Sequence, residues 1–273
     1  NKGVRQMKAV MSNKAVNYIA AATFIAVLVV NTLSGIGLIN GIKPGEVSDL
    51  YQNLFTPASY TFSIWGLIYL LLSVHTVCLF ICKDTSKSKA DLLNYTGRKF
   101  IASSLMNICW IFSWHYKIIP LSMLFITAML VYLCLISNRL INQNFTIFEN
   151  LVIRLPFSVY FGWITVAATA NLIVLLVSLG WNSMNTAGQI ITIIFIGAAA
   201  ITASAITIKN KDAAYCAVAV WAYIGILNKH LSPHGFDGEY LAVITAVILS
   251  IIMLFAAAIY TLLLNLKNKS INI

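Results

Sequence analysis

Between about Ala15 and Leu266 the chain is a series of long apolar runs, nearly free of charge, divided by short polar breaks. A helix needs about 20 apolar residues to cross the hydrocarbon of a bilayer. Eight runs are candidates: 16–40, 60–82, 100–116, 118–138, 152–178, 187–208, 213–229 and 240–266. Lipid offers no partner to backbone N–H and C=O groups, so each run is expected to be a helix. The period-two alternation of a membrane strand is absent. The pattern therefore predicts an all-α polytopic membrane helix bundle of about eight transmembrane helices. The third and seventh runs are short and carry polar groups, so a seven-helix chain with one re-entrant segment is the competing reading.

Composition agrees: 60% of residues are hydrophobic, 10% are charged and the mean hydropathy is +0.85, which excludes a water-soluble core. A net charge of +10 would point to a nucleic-acid partner in a soluble protein. Here its distribution gives a simpler account. Every Lys and Arg except Lys43, Lys117 and Lys229 lies at the N-terminus (Lys2, Arg5, Lys8, Lys14) or in alternate breaks: Lys83–Lys99, Arg139 with Arg154, Lys209 with Lys211, and Lys267 with Lys269. The opposite breaks carry Glu46, Asp49, Asp237 and Glu239. The positive-inside rule then places both termini in the cytoplasm, and losing one helix would break the alternation. No nucleic-acid partner is expected; membrane lipid is. Abundant Lys, Asn and Ile suggest an AT-rich bacterial genome and hence a bacterial plasma membrane. The first run is too long for a secretory signal and has no small-residue cleavage pattern.

Two breaks carry expectations of their own. The basic break at Lys83–Lys99 reads as a solvated loop beside anionic lipid. The external break from Gly41 to Ser59 is the longest and holds Pro44, Pro57, Tyr51 and Phe55. Ser48 or Asp49 could cap a short surface helix there, with the aromatic residues either at headgroup level or over the mouth of a cavity.

Polar chemistry inside the runs is sparse. Cys78 and Cys82 stand one helical turn apart but lack a neighbouring His or carboxylate, so neither a metal nor another cofactor is expected. The five cysteines lie in or near spans, which argues against disulfides. Only His75 and Arg154 are ionisable within or beside the spans, the first suited to packing and the second to snorkelling. No paired carboxylates or activated nucleophile are present to support hydrolytic or transfer catalysis. Gly197, Ala200 and Ala203 in the sixth run provide small side chains for helix packing or for contact in a homodimer.

Aromatic and amide residues, in contrast, are patterned. Trp65 and Tyr69 share one helix face; so do Asn107, Trp110 and Trp114; so do Trp163, Ala167 and Asn171. An amide in hydrocarbon must be hydrogen-bonded, so Asn107 and Asn171 face protein, water or ligand. Two readings stand: ordinary helix packing, or a pocket in which indole faces stack on a flat apolar ligand, Ala167 makes room and the amides fix its orientation.

Three stretches resemble the translocator-protein or TspO/MBR family of tryptophan-rich sensory proteins, also called peripheral benzodiazepine receptors. Pro57-Ala-Ser-Tyr-Thr-Phe-Ser-Ile-Trp65-Gly-Leu-Ile-Tyr69 is similar to the start of that family's second helix. Asn107-Ile-Cys-Trp110 is similar to its third, and Trp163-Ile-Thr-Val-Ala167-Ala-Thr-Ala-Asn171 to its fifth. The resemblance covers roughly residues 15–178. It implies a TspO-like five-helix membrane domain over 1–178, with an additional three-helix segment over 179–273 packed on the same bundle. It also implies a cavity opening toward the first external loop, with Trp65, Tyr69, Asn107, Trp110, Trp163, Ala167 and Asn171 as ligand-binding residues and no catalytic residue. The expected partner is a planar hydrophobic small molecule, a porphyrin-like tetrapyrrole above all, which the protein would bind or sense. The alternatives are a facilitator-type transporter of an uncharged hydrophobic substrate and a light-dependent porphyrin-degrading enzyme.

Overall fold

The computed structural model describes residues 2–81 and 86–271, with side chains over 14–81 and 86–267. Cys82, Lys83 and the side chains of Lys2, Arg5, Lys8 and Lys269 lie outside the described residues. Regular structure is helical throughout: α1 (Lys2–Gly35), α2 (Pro44–Asp49), a 3-10 turn (Ser59–Ser63), α3 (Ile64–Ile81), α4 (Lys87–His115) and α5 (Ile119–Leu140). Then follow α6 (Ile147–Glu149), a π turn (Asn150–Arg154), α7 (Leu155–Ser178), α8 (Thr186–Asn210), α9 (Ala213–Leu231) and α10 (Leu241–Ile271).

The long helices coincide with the apolar runs, and six segments are long and apolar enough to span a membrane. The chain is a multi-pass membrane protein. The remaining long helices, α4 and α9, correspond to the short polar runs. Their polar side chains are sheltered by the bundle: Ser103, Ser104, Asn107 and Ser113 of α4 are buried, as are Tyr215 and Tyr223 of α9. Neighbouring helices, not lipid, are the solvent those groups see.

Two local expectations are corrected. The basic break is not a loop beyond Ser86, because α4 starts at Lys87. Ser86 caps it by accepting the Lys89 N–H, and Leu92, Thr96 and Phe100 continue a buried stripe at helical spacing. Lys89 is drawn into an ion pair with Glu149, and the ammonium of Lys99 lies over the rings of Tyr95 and Tyr132 at 5.8 and 5.7 Å. The surface helix after Gly41 exists, but Ser48 and Asp49 sit in its last turn. It begins at Pro44, where the missing N–H costs nothing, and the Lys43 N–H is taken by Glu46 Oε2 at 3.0 Å.

Packing arranges the first five long helices as a closed ring in which α1 meets α4, α4 meets α5, α5 meets α7, α7 meets α3, and α3 returns to α1. The last three form a second group, α10 against α8 and α9, that meets the ring mainly through α9 on α7. The crossing is close because position 162 is glycine: a Cβ there would stand 2.8 Å from the Tyr215 carbonyl and 3.1 Å from Val218 Cβ.

Pro156 shows how one residue directs packing. A regular helix would pair its N–H with the carbonyl of Val152, and proline has no N–H to offer. His75 of α3 supplies the donor instead, Nδ1 to Val152 O at 2.8 Å. His75 is therefore a packing residue tying α3 to the π turn. Arg154 reaches the open C-terminus of α8, with its guanidinium 2.6 Å from the Asn210 carbonyl.

Candidate functional site

The ring closes around an aromatic cluster centred on Trp65. One turn apart on α3, Trp65 and Tyr69 stack at 5.4 Å with their planes 17° apart. Trp110, Tyr160 and Trp163 surround the same indole at 6.1, 5.9 and 6.2 Å, the last two edge to face. Trp114 stacks on Trp110 at 5.9 Å, and Phe62 meets Trp163 edge to face at 5.7 Å. Edge-to-face and offset contacts suit the quadrupoles of these rings and add to their buried area.

Amides lock the wall from behind. Asn171 Oδ1 accepts the Trp110 indole N–H at 3.0 Å, and its Nδ2 donates to Ser122 Oγ at 3.1 Å. Ser122 can accept there because its own hydroxyl proton goes to the Ile119 carbonyl at 2.8 Å. Asn107 plays a different part: its Oδ1 accepts from Asn31 of α1 at 2.7 Å and its Nδ2 faces the Tyr160 hydroxyl of α7 at 3.4 Å. It joins three helices and lines neither recess described next.

Two recesses flank Trp65 and Phe62, which line both. The inner one lies against Trp65, Trp110, Trp163, Ala167 and Asn171 and holds only about 20 Å³, room for about one water. The outer one, about 420 Å³, opens between α1 and α3 and is lined by Asn31, Ser34, Lys43, Glu46, Trp65 and Tyr69. That volume falls in the range of small-molecule sites. The loop before α3 roofs both: Ser48 and Pro57 line the inner recess, Pro44 and Ser59 the outer. Phe55 of that loop is fully buried in the core and lines neither recess.

Tyr69 OH and Trp163 Nε1 are buried with no hydrogen-bond partner. A buried polar atom left unpaired costs about 1–3 kcal/mol, so each marks a place where a water or ligand atom would be stabilised.

The structure thus brings six of the seven sequence-derived site residues to the recesses: Trp65, Trp110, Trp163, Ala167 and Asn171 at the inner, Tyr69 and again Trp65 at the outer. Sequence reasoning missed Tyr160, Phe62, Ser122 and the roof residues Ser48 and Pro57. Tyr160 stands three residues before Trp163, a helical spacing that could have flagged it; Ser122 and Ser48 carry no such signal. Among the described residues no group of three or more His, Cys, Asp or Glu is placed to hold a metal.

No curated protein and no solved structure matches the chain. A family model described as TSPO-like protein matches residues 17–260, so the match takes in the last three helices as well as the ring. With nearly the whole length covered, and with the aromatic cluster inside a five-helix ring, the chain belongs to the TSPO-like protein family.

Proposed function

We propose that this protein binds a planar hydrophobic small molecule in the roofed site, a tetrapyrrole of the porphyrin type being the ligand class that suits it best, and that sensing of that molecule is its role. The observation that carries the reading is a pair of unpaired polar atoms set among indole faces, Tyr69 OH on a residue lining the 420 Å³ outer recess and Trp163 Nε1 on a residue lining the small inner one. In the outer recess a flat π surface lies against Trp65 and Tyr69 with polar substituents at the Lys43 and Glu46 rim, and the unpaired Trp163 Nε1 becomes a partner once the inner recess opens. The inner recess is too small for a ring in the closed form, so occupancy requires the roof or the Phe62 and Trp65 side chains to move.

The test is a tryptophan-fluorescence titration with protoporphyrin IX in nanodiscs, using empty nanodiscs to subtract partitioning. Ala167→Phe fills the inner recess and should weaken saturable quenching at least about tenfold. Trp163→Phe removes one donor and should weaken it about 2- to 10-fold; because the lost ring also leaves a cavity in the buried cluster, the comparison is made at a temperature where the variant is shown to be folded. Quenching that never saturates, or that both variants leave untouched, refutes the reading.

A facilitator remains the second reading because of a further cavity, about 270 Å³, at the opposite end of the same helices, lined by Asn17, His75, Leu92 and Val152 among others. Phe24, Phe100 and Phe157 pack between the two ends with ring centroids 5.7 and 5.6 Å apart. Transport would require that aromatic plug to open. Liposome flux of an uncharged substrate, enhanced by Phe100→Ala, would favour this reading over simple binding.

A further inference from the structure

The loop from Pro44 to Thr61 roofs the site, and it is held from two directions. On the ring side, Trp114 Nε1 donates to the Pro44 carbonyl at 3.0 Å, and just before the loop Asn40 Nδ2 donates to the His115 carbonyl at 2.8 Å. Every other described hydrogen bond that ties this loop to another helix comes from α9, in the group of three helices outside the ring. Lys229 pairs with Asp49 at 3.0 Å, and His230 Nε2 donates to the Leu54 carbonyl at 2.9 Å. The Ala58 N–H donates to the Gly225 carbonyl at 3.1 Å, and Trp221 Nε1 to the Thr61 carbonyl at 3.0 Å. These four contacts recur along the last turns of α9: residues 221, 225 and 229 follow one another at i, i+4 and i+8 on one face, and His230 reaches Leu54 from the final turn.

We propose that α9 is a clasp on the roof of the ligand site, so that the C-terminal helices control how fast ligand enters from the loop side. This rests on the binding reading above and adds its regulation. Two further features identify a releasable contact. Gly225 permits the close approach, because a Cβ there would lie 2.1 Å from Thr61 Oγ1 and 3.1 Å from Pro57 Cβ; the roof touches α9 backbone with nothing between. The contact is also incompletely satisfied: Thr61 Oγ1 and His230 Nδ1 are buried in it without partners. The bond to the Leu54 carbonyl makes Nε2 the protonated nitrogen of His230, so Nδ1 is an acceptor that nothing reaches. An interface with a few hydrogen bonds and two orphaned atoms opens at lower cost than a packed apolar one. Opening it frees Pro57 and Ser59, which line the inner and outer recesses respectively.

Roof opening is read without ligand by hydrogen–deuterium exchange of the full chain in nanodiscs. Each lost hydrogen bond should speed opening about 2- to 10-fold, so Trp221→Phe with Lys229→Gln is expected to accelerate exchange over residues 54–61 about tenfold and leave α5 at the wild-type rate. Ligand entry is read by stopped-flow quenching with protoporphyrin IX, where the same variant should raise the association rate. A second variant guards against misfolding. Asp49→Cys with Lys229→Cys, in a background free of other cysteines and joined by a reducible bis-thiosulfonate linker, should slow association, and reductant should restore it in the same molecules. Wild-type exchange of residues 54–61 in the clasp variant overturns the proposal, as does wild-type association in the linked protein. Faster roof exchange with no saturable quenching would uphold the clasp and defeat the tetrapyrrole reading instead.

Discussion

Asn171→Leu tests whether the aromatic wall is held by amide chemistry or by shape alone. Leucine keeps asparagine's branched skeleton but its methyl groups are bulkier, so a double-mutant cycle is needed to separate packing from what is lost, one acceptor and one donor. The Trp110 indole N–H, in a side chain only 3% exposed, is left without its 3.0 Å partner, and Ser122 loses the 3.1 Å donor from Asn171. Ser122 keeps its bond to the Ile119 carbonyl, so Trp110 bears most of the cost. An orphaned buried donor costs about 1–3 kcal/mol in soluble proteins, whereas hydrogen bonds between membrane helices average about 0.6 kcal/mol with a maximum near 1.7. The expected destabilisation is therefore about 1–3 kcal/mol, and the coupling between positions 110 and 171 about 0.6–1.7 kcal/mol. The assay is a double-mutant cycle of Asn171→Leu and Trp110→Phe, with reversible unfolding in mixed micelles followed by far-UV circular dichroism, because tryptophan emission changes with the mutation. A coupling below about 0.3 kcal/mol would show that the bond contributes nothing beyond packing, and Asn171 would lose its place in the account of the wall.

Two further outcomes follow from the geometry. Gly162→Val places a branched side chain where a Cβ would already lie 2.8 Å from the Tyr215 carbonyl, so α9 must move off α7 at a cost of about 1–3 kcal/mol; a thermal midpoint equal to wild type would contradict that close crossing. The charge pattern predicts that a cysteine placed at Asn182 is labelled from outside intact cells and one at Gln143 only after permeabilisation; the reverse result would invert the chain in the membrane.

Much of the architecture was legible because lipid imposes a simple rule. A run of apolar residues must be a helix, and the eight runs match the eight long helices in order. The errors fell where that rule is silent. The basic stretch after Ser86 reads as a solvated loop by composition, yet Leu92, Thr96 and Phe100 turn one face of it into buried helix against the ring. Ser48 and Asp49 look like helix starts, but the proline at 44 begins that helix a turn earlier. In the site, spacing at i, i+4 and i+8 was legible as shared faces within single helices, Trp163 with Asn171 among them, whereas the meeting of Trp65, Trp110, Trp163 and Asn171 at one recess came from the packing of α3, α4 and α7. Asn107 carries the same spacing signal and is instead a tie among α1, α5 and α7, a distinction that depends on which neighbours surround it.

The sequence by itself determined the membrane, the helical class, the order of the spans and the aromatic faces, because each depends on local composition or on a period of 3.6 residues. Only the tertiary structure decided that α9 reaches back over the roof. Lys229 and Asp49 are 180 positions apart, as are nearly His230 and Leu54 at 176, and no local pattern encodes such a pairing. The size of the two recesses and the orphaned Tyr69 and Trp163 atoms were settled there too, since whether a polar atom finds a partner depends on groups that folding brings from other helices.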